Sequence, residues 1–151
     1  MPFAPKKILV PTDFSTHSDR AADVAIELAA KFGAKVTLLH VVPLSDYANY
    51  AAHLAPGSAE FEHLQRTLHN AATKSIAAEV ARLSATTKVD ADTVDGPPPA
   101  EICAYAKEHG VDLIVIGSHG LTGFKHLLLG SVAERVVHHS GVPVLVVREP
   151  R

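Results

Sequence analysis

One cysteine, Cys103, stands in a chain of 151 residues. That scarcity excludes an internal disulfide and suits a reducing compartment. Long apolar runs are missing too, and nothing approaches the ~20 residues needed to span a bilayer. The opening residues, Met1 to Lys7, contain prolines and lysines but no apolar segment, so secretion by a signal peptide is not expected. Positive charge is not in excess either. The formal net charge is −2, which removes the electrostatic footprint of a nucleic-acid binder. The expectation is a cytoplasmic protein without a membrane or nucleic-acid partner.

Several catalytic signatures are also lacking. There is no Gly-x4-Gly-Lys-Ser/Thr loop, no Gly-x-Gly-x2-Gly loop and no His-Arg-Asp set, so turnover of a phosphoanhydride has no evident machinery. Ten histidines invite a metal reading, but neither His-Glu-x2-His nor Cys-x2-Cys occurs. His138 and His139 are neighbours on a helix and project about 100° apart, a poor geometry for sharing one ion. No metal-ligating residues are therefore assigned. Cys103 sits among helical residues and reads as packing rather than as a nucleophile.

What is present is an ordinary globular composition, 47% hydrophobic and 20% charged, at a length that suits one domain. Lys7–Val10 is a short β-rich run stopped by Pro11. Ser15 or Thr16 can cap a helix, with Asp19 placed for a capping box on Thr16. Its apolar positions run from Ala21 to Phe32, and Gly33 marks the stop. Val36–Val42 is a second strand, ended by Pro43. No period holds from Leu44 to Gly57, a segment with Tyr47 and Tyr50 that reads as an ordered loop or flap, covering a ligand or packing at a subunit contact. Ser58 caps a long helix with Phe61, Leu64, Leu68, Ala72, Ile76, Val80 and Leu83 on one stripe. Val89–Val94 is a third strand, Ala100–His109 a helix, Asp112–Ile116 a fourth strand, Ser131–His139 a helix and Val142–Val147 a fifth strand.

Strands that alternate with helices and read as continuous apolar runs predict an α/β fold, a five-stranded parallel doubly wound sheet with helices on both faces. One end of the sheet can run 2-1-3 or 3-2-1. The second gives the order 3-2-1-4-5, adopted here, with a switch point between strands one and four. Ligands of such sheets sit beyond the carboxyl ends at that point. Asp13 follows strand one and Gly117 follows strand four, so both are expected at one crevice.

The segment after strand four carries the clearest chemistry. Gly117-Ser118-His119-Gly120 is followed by nine residues, Leu121 to Leu129, and then by Gly130-Ser131 at a helix start. Unpaired N–H groups at a helix start make a receptor for phosphate. Glycine reaches positive φ without strain and has no Cβ to hold a ligand away, which is the expected reason for its use here.

These residues resemble the universal stress proteins of the nucleotide-binding branch. The resemblance is carried by Ile8-Leu9-Val10-Pro11-Thr12-Asp13-Phe14-Ser15, by Leu39-His40-Val41-Val42, by Gly117-x2-Gly120-x9-Gly130-Ser131 and by Ser140-Gly141-Val142-Pro143-Val144-Leu145-Val146-Val147. It implies an ATP site, with Mg or Mn arriving on the phosphates. Gly117, Ser118, His119 and Gly120 match the loop around ribose and phosphates. Gly130, Ser131 and Val132 match the helix start that receives the phosphates. Pro11, Thr12 and Asp13 match the segment beside adenine and ribose, and Val41 the position whose backbone meets the adenine edge. Lys125-His126 stands where a basic pair is usual. The family likeness also implies a homodimer through Val142–Val147, and an apolar edge strand of that length calls for cover. Three readings follow: a dimeric nucleotide-binding stress-response or signalling module, which is preferred; a slow ATP hydrolase or phosphotransferase using the same site; or a dimeric adaptor with a vestigial pocket.

Overall fold

The computed structural model describes residues 2–43, 47, 52–120 and 128–150. In chain order the elements are β1 (Lys7–Pro11), α1 (Thr16–Phe32), β2 (Lys35–Val42), α2 (Ala59–Leu83), β3 (Val89–Asp95), α3 (Pro98–Glu108), β4 (Leu113–Gly117), α4 (Ser131–His139) and β5 (Val144–Val147). The strands form a five-stranded parallel sheet in the order β3-β2-β1-β4-β5. This is the order expected from the sequence, and it places the switch point between β1 and β4.

Strand alternation divides the core into two layers. Ile8, Val10, Val36, Leu38 and Val115 point to one face, where α1 packs with Ala21, Ala22, Ala25 and Ala29 and α2 with Ile76 and Leu83. Leu9, Leu39, Val41, Ile114 and Ile116 point to the other face, onto Ile102 and Ala106 of α3 and Ala133 and Val136 of α4. The alanine stripe lets α1 lie close on the sheet. Each fully buried Ile, Leu or Val contributes roughly 1.5–3 kcal/mol relative to exposure.

Local signals fix the ends. Ser15 caps α1, its hydroxyl accepting from the Ser18 N–H at 3.3 Å. Thr16 is already helical, so the expected capping box between Asp19 and Thr16 does not form. The third residue after the cap is Ser18, which has no carboxylate to return the bond. Gly33 closes the helix in the left-handed region at φ 66°. Pro98 opens α3, where its missing N–H costs nothing.

Two apolar runs are less buried than expected. β3 is an edge strand with Asp90, Ala91 and Asp92 exposed, so it is not a continuous buried run. On α2 only Ala72, Ile76 and Leu83 are buried, while Phe61, Leu64 and Leu68 are half-exposed, because the helix begins beyond the end of β2. β5 starts at Val144, two residues later than expected, and β4 extends to Gly117. Among the described residues no helix is long and apolar enough to cross a membrane.

Candidate functional site

A cavity of about 530 Å³ opens beyond the carboxyl ends of the strands, within the range of small-molecule sites. The β1 side supplies Pro11, Thr12 and Asp13, and β2 supplies Leu39 to Val42. Leu68 and Ala72 come from α2, Pro98 and Ile102 from α3. The remaining wall is Ile116, Gly117, His119, Gly120 and then Gly130 to Ala133. Asp13 and the glycine segment do meet there. A Cβ placed on Gly120 would collide with the Asp13 carboxylate.

The turn after β1 is closed on itself. The Thr12 N–H donates to the Leu39 carbonyl at 2.8 Å, and its hydroxyl accepts from the Phe14 N–H at 3.1 Å and lies 3.2 Å from the Ser18 hydroxyl. Asp13 Oδ1 accepts the Ser15 N–H at 3.0 Å. His40 Nδ1 lies 2.8 Å from the Thr12 carbonyl and so carries the proton on that nitrogen. Phe14 sits in the left-handed region at φ 64°, its ring 4.5 Å from His40. A bulky residue there is strained, and the five bonds around it hold it in place. Thr12 is thus buried structure at the edge of the cavity.

β2 runs on past β1. The β1–β2 ladder ends with Pro11 opposite Leu39. Because the Leu39 carbonyl faces β1, alternation turns the Val41 N–H and C=O the same way, two residues beyond the last rung. One donor and one acceptor therefore face the crevice side by side. Behind this end Tyr47 is buried against Val42 and Ala72, and its hydroxyl donates to Asp95 at 3.2 Å. Tyr47 backs the apolar lining. Half of the expected flap, including Tyr50, lies outside the described residues, as do Lys125 and His126.

The glycine wall is built differently. Ser118 is only 2% exposed and does not line the cavity. Its N–H donates to the Val147 carbonyl at 3.0 Å, its carbonyl accepts the Gly130 N–H at 2.6 Å, and its hydroxyl lies 3.1 Å from His119 Nδ1. It ties β4 to β5, to the start of α4 and to His119. The Gly130 amide is thereby spent inside the protein. Gly130 is the N-cap of α4 without a side-chain cap, and its carbonyl accepts from the Glu134 N–H at 2.9 Å. The N–H groups of Ser131, Val132 and Ala133 precede that first intrahelical bond and border the cavity. An anion at this end of the cavity would meet this trio at the helix start.

The expected reason for the glycines needs correcting. Positive φ occurs at Gly33, Gly57, Gly96 and Gly110, and not at Gly117, Gly120 or Gly130. Close approach decides instead. A Cβ on Gly117 would lie 2.8 Å from the His17 carbonyl oxygen, and one on Gly130 would lie 3.2 Å from the His119 Cα. Gly117 lets the loop pass close to the start of α1, Gly120 close to Asp13, and Gly130 close to the loop's own backbone at residues 118–120.

Ser18, His40, Leu68, Ala72, Pro98 and Ile102 also line the site, although nothing in their spacing marks them. His40 lies inside the motif that singled out Val41. Elsewhere, His138 and His139 rings stand 6.5 Å apart edge to face, and His139 Nδ1 is bonded to the Arg135 carbonyl. Among the described residues no group of three or more His, Cys, Asp or Glu is arranged to hold a metal ion. Burial pushes the half-buried Cys103 thiol up from its ordinary range, which lowers its thiolate fraction.

Comparison with known proteins bears on the family and the fold. Residues 5–148 match the model of the universal stress protein family. Universal stress protein MJ0531 of Methanocaldococcus jannaschii is 35% identical over 148 residues, which is 97% of this chain and 84% of that one. The solved structure of hypothetical protein MJ0577, from the same organism, superposes with a TM-score of 0.85 at 33% identity and 99% coverage of both chains. A universal stress protein in complex with cAMP is 27% identical, with a TM-score of 0.61 and coverage of 97% and 98%.

Proposed function

The chain belongs to the universal stress protein family, and on that premise we propose that it is a nucleotide-binding module that carries ATP in the crevice between β1 and β4. The observation that carries this reading is the joining of two unlike recognition surfaces in one cavity. At one end Val41 offers a backbone donor and acceptor beside Leu68, Ala72 and Ile102. An adenine edge presents the complementary acceptor and amino donor, whereas guanine reverses the pattern at those atoms. At the other end the amides of Ser131, Val132 and Ala133 meet an anion at a helix start. The cAMP-bound relative supports an adenine nucleotide as the ligand class.

Pro11 and Asp13 flank the ribose in this reading, His119 and Gly120 the phosphates, and Thr12 and Ser118 hold the walls. Mg or Mn would come in on the phosphates, since no protein ligand set is gathered for it among the described residues. The missing phosphoryl-transfer machinery favours holding ATP over turning it over. A homodimer forms through β5, whose Leu145 is 39% exposed and whose outer edge faces no strand among the described residues. Such a dimer acts in the cytoplasm, its occupancy reporting a stress state to other molecules.

Thermal unfolding with and without ATP tests the reading. At a hundredfold excess over Kd, ATP is expected to add about 2.7 kcal/mol of stability, and Gly130→Val to abolish the gain. A folded protein whose melting is unchanged by millimolar ATP would favour the adaptor reading. Sedimentation at micromolar concentration tests the dimer, and a monodisperse monomer would refute it.

A further inference from the structure

One imidazole of the crevice is only half used. His40 is half-buried and lines the cavity. Its Nδ1 lies 2.8 Å from the Thr12 carbonyl oxygen, which can only accept, so the ring's proton sits on Nδ1. In the neutral ring Nε2 then holds a lone pair and no proton. Apart from that bond, the ring's contact is with the Phe14 ring at 4.5 Å. Among the described residues the one buried side-chain polar atom without a hydrogen bond is His17 Nδ1. His40 Nε2 is therefore an accessible acceptor and not a buried orphan.

Strand alternation says which way the ring goes. Leu39 and Val41 point to the layer of α3 and α4, and Leu38 points to the layer of α1 and α2. His40, two residues after Leu38, shares its face. The cavity reaches that face, because Ser18 of α1 and Leu68 and Ala72 of α2 also line it. The ring meets the cavity there, held at one edge by Thr12. Thr12 stands between Pro11 and Asp13, the two residues that flank the ribose in the nucleotide reading. In that reading the Val41 carbonyl already takes the adenine amino group. The neutral donors left on the nucleoside are the ribose hydroxyls.

We propose that His40 is a specificity residue for the sugar: its Nε2 accepts a hydrogen bond from a ribose hydroxyl, while its Nδ1 holds the turn after β1. The proposal rests on the nucleotide reading above and gives that site a side chain that senses the ribose. The two ring nitrogens do separate jobs, so substitution can separate them. An asparagine carries its amide N–H groups near the place of Nδ1 and has no atom at the place of Nε2. His40→Asn therefore keeps a donor for the Thr12 carbonyl and deletes the acceptor.

The test is calorimetric titration of ATP and of 2′,3′-dideoxy-ATP, which lacks both hydroxyls, into wild type and His40→Asn. The pH is 8, above the ordinary imidazole midpoint. ATP affinity should fall about threefold to tenfold in the variant, the loss of one neutral hydrogen bond. The dideoxy nucleotide should bind wild type more weakly than ATP does, and bind the two proteins alike. An equal loss with both nucleotides, or no loss with ATP, overturns the proposal and leaves the nucleotide reading standing. No ATP binding by folded wild type removes that reading, and the sugar contact with it. If His40→Asn does not fold, the Nε2 nitrogen resonance of His40 in wild type decides. Saturation with ATP should move it upfield and saturation with the dideoxy nucleotide should not; equal shifts, or none with ATP, overturn the proposal.

Discussion

The two walls of the crevice solve opposite problems. The wall after β1 spends its polar groups internally: Thr12, Asp13, Ser15 and Ser18 bond to one another and pin the strained Phe14. The wall after β4 holds its loop by three bonds through the buried Ser118, and leaves the first amides of α4 facing the cavity. A site needs both, a rigid frame on one side and unspent donors on the other. Substitutions on the first wall should therefore be felt in stability, and those on the second in binding.

Gly130→Val should break the contrast most severely. Its side chain would press on the His119 and Ser118 backbone, costing about 1–3 kcal/mol of stability by overpacking. ATP-dependent stabilisation should vanish as well, read by thermal unfolding with and without nucleotide. Thr12→Val should cost about 1 kcal/mol by removing the partner of the half-buried Phe14 N–H. Melting would fall by several degrees, while ATP affinity measured on the folded protein should change less than threefold.

Ser131→Ala should show the reverse, a weakening of ATP binding by roughly 0.5–1.5 kcal/mol with melting of the nucleotide-free protein nearly unmoved. The smallest effect lies away from both walls. Tyr105 is pushed up to about 12, first by burial and then by Asp92. Its folded value exceeds the unfolded one, so its stabilising contribution is whole below pH 10 and lost as pH rises through 12. Tyr105→Phe should flatten that alkaline decline in a melting series and leave ATP binding unchanged.

The strand order and the crevice were legible because each apolar run ends at a proline, a glycine or a cap, and alternation with helices leaves few topologies. The glycine motif located the second wall. Its physical reason was not legible, because whether a glycine serves φ or close approach depends on what packs against it, here His17 and the 118–120 backbone. Ser118 shows the same limit. Its place in the motif suggested a ligand contact, yet its depth, set by β5 arriving from thirty residues later, makes it a structural tie. The acidic β3 edge was misread as apolar because Val89 and Val94 bracket residues that only the outermost strand can expose.

Amide chemical shifts recorded during parallel titrations with ATP and adenosine would test the two-wall account most directly. Shifts that ATP produces and adenosine does not should fall on His119, Gly120 and the Ser131–Ala133 amides, with Thr12 and Ser18 moving little in either. ATP-specific shifts confined to the β1 wall, or absent from the start of α4 at saturation, would contradict it.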